Sequence, residues 1–159
     1  MRRDLAAVTM PRRWRSRGPA RGGSLALLAA IALACTPVEL EVRLATAAES
    51  LPSPAFTVDD SQSAEAPRYD TLVVLDVGGA CDPRSGCPAT WRAELAEGSA
   101  PRRVVYGAAP GFRDVEPPVP LRPGGEYQLL VSGSGLTGLL TEGELRFRVA
   151  ADGAVVAVP

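Results

Sequence analysis

The chain has 159 residues, 46% apolar, 22% charged and 5% aromatic, with three cysteines and neither histidine nor lysine, a length and balance that suit one modest globular domain. Without histidine the commonest general base and metal ligand is missing, and without lysine so are the Schiff-base nucleophile and the P-loop cation, which excludes much enzyme chemistry. The formal charge of −1 hides a division: residues 1–34 carry seven arginines against Asp4 alone, leaving +6, while the rest sets ten arginines against 17 acidic residues, leaving −7. An acidic body repels phosphate backbones, so nucleic acid is not an expected partner. An arginine-only set of cations is also what a codon bias toward GC-rich triplets produces.

Behind the arginines comes an uncharged run, Ser24 to Ala34, closing on small residues before Cys35. A basic region, a short apolar core and a small-residue end describe a secretory signal peptide over residues 1–34. The run falls short of the ~20 apolar residues a bilayer span needs, and Pro37, Glu39 and Glu41 prevent its extension. Met10 offers a second start that leaves a shorter leader. Arg2-Arg3 and Arg12-Arg13 lack the apolar continuation of a twin-arginine signal.

Ile31-Ala32-Leu33-Ala34-Cys35 resembles the lipobox of bacterial lipoproteins, with Ala32 where the most typical form of that family has leucine. The resemblance implies cleavage between Ala34 and Cys35, lipidation of Cys35, and a membrane partner reached through it; residues 35–37 are then the anchor junction. Two or three acyl chains hold a protein stably where one does not. Ala32-Leu33-Ala34 also satisfies an ordinary A-x-A cleavage site, so simple secretion stands as the alternative. Cysteine arithmetic separates the two: Cys81 and Cys87 are near neighbours suited to pair in an oxidising compartment, which leaves Cys35 odd. Thr36 stands where an aspartate would follow the cysteine, and resemblance to the sorting signals of bacterial lipoproteins then favours the outer membrane or cell surface in a host with two membranes.

From residue 38 to 159 the dominant signal is alternation of period two. Val38, Leu40, Val42 and Leu44 face one way and Glu39, Glu41 and Arg43 the other, the pattern of a half-buried strand. Ala55 to Val58 is a weaker strand, followed by an acidic loop at 59–69. Thr71 to Val77 is apolar on both faces and reads as a central strand. Trp91, Ala93 and Leu95 alternate with Arg92 and Glu94, in a strand or the start of a short helix, with Trp91 a structural residue. Arg102 to Tyr106 and Glu126 to Ser132 are further candidates. Ser132-Gly-Ser-Gly135 and Glu142-Gly143 read as a loop and a turn. Leu145, Phe147 and Val149 form another alternating run, joined to Ala154–Val158 through Asp152-Gly153, for which a type I′ hairpin is predicted. The proline-rich stretch 116–123 cannot donate along a sheet interior and is a connection or an edge.

Short strands, frequent turns and no long helix predict an all-β domain, a small antiparallel β-sandwich. Leu121-Arg-Pro-Gly-Gly-Glu-Tyr-Gln-Leu-Leu-Val131 resembles the entry to strand F of fibronectin type III and immunoglobulin-like domains. That resemblance implies a tyrosine corner, with Tyr127 bonded back to the preceding connection and Leu129 and Val131 in the core.

Chemistry-bearing patterns are few. Cys81-Asp-Pro-Arg-Ser-Gly-Cys87 favours a tight reversal closed by a disulfide, with Arg84 at its tip. Two thiols without histidine leave a zinc site incomplete, and a redox dithiol would rather be C-x-x-C. Asp59, Asp60 and Glu65 offer oxygens to a hard cation but miss the spacing of a calcium loop, so a solvated acidic loop is the expectation. No serine occupies a nucleophile elbow and no usual triad can form. The expectation is a lipid-anchored extracytoplasmic domain without cofactor, metal or catalytic residues, acting as a binding, adhesion or envelope-accessory module with an envelope protein or glycan as partner; the alternative is a secreted, unanchored enzyme, such as a hydrolase, using carboxylates alone.

Overall fold

The computed structural model describes residues 38–61, 66–79, 81–83, 86–134 and 140–159. The expected leader, the 35–37 junction with Cys35, and Glu65, Arg84 and Gly135 lie outside them. Among the described residues there is no helix, and the strands are β1 (Val38–Leu44), β2 (Ala55–Asp60), β3 (Thr71–Asp76), β4 (Ala89–Leu95), β5 (Arg103–Val105), β6 (Phe112–Glu116), β7 (Glu126–Ser134), β8 (Leu140–Val149) and β9 (Val155–Val158).

The strands join in the order β5-β2-β1-β8-β7-β3-β4-β6, with β9 also on β8. The sheet is mixed and curls into a half-barrel. Every pairing is antiparallel except β1 with β8, so the expectation of a wholly antiparallel sheet is corrected. The reason lies in the length of β8. Strand β7 covers one edge of it, and β9 takes only Arg146–Val149 of the other, leaving Thr141 and Glu142 for β1 to meet in parallel. From Leu40 onward β1 turns instead to β2.

Gly143 permits that switch. A Cβ there would stand 2.7 Å from the Leu40 carbonyl oxygen and 2.8 Å from Val42 Cγ2, so only glycine lets β1 cross so closely. Glu142-Gly143 is thus strand interior and not a turn. Ser132, Gly133 and Ser134 likewise belong to β7, where a Cβ on Gly133 would lie 2.6 Å from Tyr69 Cα.

The core collects one face of most strands: Leu40 and Val42, Phe56 and Val58, Leu72 and Val74, Trp91 and Ala93, Leu129 and Val131, Phe147 and Val149 are all buried. Curling brings distant strands together, so Phe56 of β2 meets Phe147 of β8 with centroids 5.3 Å apart. Trp91 of β4 meets Tyr106, just past β5, edge-on at 5.4 Å. The Tyr106 hydroxyl lies 2.7 Å from the Val119 carbonyl and 3.0 Å from that of Thr90. Trp91 therefore sits in a strand and not a helix, with its indole N–H donating to Asp114 at 2.7 Å.

The β8–β9 hairpin forms, but with a different turn. Gly153 has φ 87° and no other residue type has positive φ among the described residues, so Asp152 does not adopt the type I′ conformation. Gly153 N–H bonds to the Ala150 carbonyl at 3.0 Å and Ala150 N–H to the Ala154 carbonyl at 2.7 Å. That is a three-residue loop with a left-handed glycine at its end, whose twist also suits a hairpin. Strand β6 had no sequence signal, because its side chains are almost all exposed.

Candidate functional site

Concave regions on the described surface include one at an end of the half-barrel and one on its outer face. The end region is built where β3 stops and the chain approaches β7. Asp76, last residue of β3, accepts from Gly78 N–H at 3.2 Å and from the Arg122 guanidinium. Its own N–H reaches the Pro88 carbonyl at 2.9 Å, closing the neck of the loop that follows. Within that loop Cys81 and Cys87 form a disulfide with Cα atoms 5.1 Å apart. Arg122, Gly124 and Gly125 form the opposite wall of a cleft of about 590 Å³.

The arginine's backbone is fixed as well. Its N–H donates to the Tyr127 hydroxyl at 2.9 Å, while the Tyr127 ring stacks on Phe147 at 5.5 Å. Gly125 lies against that ring, where a Cβ would stand 2.5 Å from the hydroxyl. This end can present one guanidinium beside a carboxylate and a disulfide. Among the described residues it brings no nucleophile and base together.

Other carboxylates are tied to structure. Asp59 accepts from Arg102 at 2.7 Å and from Arg43, and the Arg102 hydrogen bond, ahead of the opposing effect of burial and with help from Arg43, holds its carboxyl below the ordinary range. Asp60 is buried, 3.6 Å from the Arg68 guanidinium. Both residues end β2, so the expected acidic loop begins only after them and their side chains are not simply solvated. Asp70 takes Ser134 N–H at 3.1 Å and Ser134 Oγ at 3.2 Å, and Glu49 takes Ala55 N–H at 2.7 Å. Among the described residues no three histidine, cysteine, aspartate or glutamate side chains converge to hold a metal.

The second region is a groove of about 600 Å³ on the outer face, with Val73 of β3 and Leu130 of β7 in its floor and Glu39, Glu142 and Glu144 along it. Register explains the convergence. Val73 pairs with Leu130, Leu130 with Glu144, and Glu39 with Glu142. Gln128, one outward step from Leu130 along β7, donates to Glu144 Oε2 at 2.8 Å. No local sequence signal marks this group, because it depends on the parallel β1–β8 pairing, which alternation cannot predict. Of the residues singled out, Cys81 lines the end cleft with Cys87 bonded to it, and Tyr127 holds the backbone of the cleft's Arg122. Trp91 lies in the core, and Cys35 is outside the described residues. No family, curated protein or solved structure matches the chain.

Proposed function

We propose that the chain is the precursor of an exported β-domain, held at the cell envelope through a lipidated Cys35, that acts by binding and not by catalysis. The observation that carries the reading is the Cys81–Cys87 disulfide, since such bonds persist in oxidising, extracytoplasmic compartments and are rare in the cytosol. An exported protein with one disulfide and one further cysteine has a ready explanation for the odd thiol in the lipobox-like sequence that ends on it. The hydrogen bond from Arg122 N–H to Tyr127 further supports kinship with the immunoglobulin and fibronectin type III folds, as the tyrosine-corner resemblance implies.

Binding is favoured over carboxylate catalysis by how the carboxylates are used. A general acid needs a carboxyl whose pKa is raised, whereas Asp59 is moved the other way by Arg102, and Asp76 and Asp114 serve as hydrogen-bond partners of Arg122 and Trp91. An envelope protein or glycan is the partner class proposed. Growth of the host with radiolabelled palmitate tests the anchor: label is expected in the processed protein and absent from a Cys35→Ala variant. Equal labelling of the two would overturn it.

A further inference from the structure

The connection from β6 to β7 reads Glu116-Pro-Pro-Val-Pro-Leu-Arg-Pro123, and its sequence dictates its shape. Proline fixes its own φ at about −65° and confines the residue before it to extended backbone. Glu116, Pro117, Val119 and Arg122 each precede a proline, which directs the segment to the polyproline II conformation, with about three residues per turn. Burial follows that period. Pro118 and Leu121 share the inward edge: Leu121 is buried, and Pro118 rests on Gly107, where a Cβ would stand 3.0 Å from the proline Cγ. The other two edges, Pro117 with Pro120 and Val119 with Arg122, are exposed.

Contacts with the domain hold this ridge in place without covering it. Val119 N–H donates to the Thr90 carbonyl at 2.8 Å, and the Val119 carbonyl accepts from the Tyr106 hydroxyl at 2.7 Å. Its side chain, 55% exposed, is nevertheless the most exposed large apolar one among the described residues. Pro117, Pro118 and Pro120 have no N–H, so a partner strand cannot pair along them, and among the described residues their carbonyls accept no hydrogen bond. Arg122 ends the ridge with a side chain that is 72% exposed; Asp76 pairs with its Nη2, and an exposed ion pair of that kind is exchanged at little cost. An occupant must therefore offer flat apolar surfaces to the prolines and Val119, donors to the carbonyls and a carboxylate to the guanidinium. A groove lined by tryptophan and tyrosine with an acidic rim supplies all three, and a ridge already in its bound shape meets it with little ordering cost. A second copy does not supply it, because among the described residues Tyr69, Trp91, Tyr106 and Tyr127 are all buried.

We infer that residues 117–122 form a docking ridge for a partner protein with an aromatic-lined, acid-rimmed groove, Pro117, Val119 and Pro120 seating on its rings and Arg122 on its acid. The inference rests on the binding-module reading but not on the anchor. Palmitate labelling and groove binding can therefore fail separately, and each failure is assigned to its own claim.

The probe is an isotope-labelled SH3 domain, a small module with such a groove, titrated with the full chain in neutral detergent micelles and followed by NMR. Shifts confined to the probe's aromatic groove are expected, and an excess of a free proline-rich peptide is expected to reverse them. The Pro117→Ala, Pro120→Ala double variant is expected to bind about tenfold more weakly, and Arg122→Gln also about tenfold more weakly. Against a probe whose rim carboxylates are replaced by amides, Arg122→Gln is expected to cause no further loss. Pro110→Ala, which alters an exposed proline elsewhere, is expected to bind as the unaltered protein does. Absence of shifts, shifts outside the probe's groove, or equal loss in Pro110→Ala and the double variant would overturn the proposal. Self-association of the chain that Val119→Asp abolishes would give the ridge to a second copy and overturn it as well. The shift map of the unaltered protein needs no variant, so it decides the matter even if a ridge variant misfolds.

Discussion

Asp59 lies between two guanidiniums, Arg102 and Arg43, drawn together because β2 is flanked by β1 on one side and β5 on the other. Its lowered pKa has a defined sign in stability. The folded state releases this proton more readily than the unfolded one, so the contribution is present above the ordinary value of 3.8 and is lost as pH falls through the folded value. Thermal unfolding of the unaltered protein and of Asp59→Asn should therefore differ most above about pH 5 and converge below the ordinary carboxylate range; a gap that widens toward acid contradicts this. Tyr127 acts through its hydroxyl. In Tyr127→Phe the ring stays on Phe147, but Arg122 N–H loses its acceptor, with an expected cost of about 1–3 kcal/mol in urea unfolding if no water replaces it. The tyrosine's place was legible from Leu121-Arg-Pro-Gly-Gly-Glu-Tyr127, a local pattern. Asp59 was not, because both arginines that hold it are remote in sequence.

Strands were legible where one face is buried and the other wet. In β1 the alternation of Val38, Leu40 and Val42 with Glu39 and Glu41 is the burial pattern itself, and β8 shows it from Leu145 to Val149. Strand β6 escaped for the opposite reason: an edge strand with nearly all its side chains exposed carries no periodicity. The glycines misled where they serve close approach. Gly143 lies in a strand because the Leu40 backbone passes 2.7 Å from where its Cβ would be, whereas a glycine beside glutamate reads locally as a turn. Gly143→Val should destabilise by about 1–3 kcal/mol as the strands are pushed apart. Gly79→Ala, which meets nothing within 4 Å, should be close to neutral. Equal effects of the two in denaturant titrations would show that β1 does not need the close crossing at Gly143.

Over the whole molecule, curling of the sheet gathers a core from strands far apart in the chain. The Cys81–Cys87 bond closes only a short loop at one end. A seven-residue loop is worth about 2 kcal/mol in the chain-entropy account, so Cys81→Ser with Cys87→Ser should lower stability by about that much without unfolding the domain. A loss too small to measure would place the bond's role in the cleft instead of in stability. The all-β class was legible because alternation recurs through most of the domain. The mixed topology was not, since the β1–β8 pairing is long-range, and neither was the groove that depends on it. The division of charge says more than the total does: the body is acidic, and three of its carboxylates gather on one outer groove. Attachment at the envelope is the central claim, and mass spectrometry of the N-terminal peptide of the membrane-extracted protein tests it most directly. The account predicts a peptide beginning at Cys35 and carrying a diacylglyceryl group on sulfur; one beginning upstream of Cys35, or at an unmodified Cys35, would contradict it.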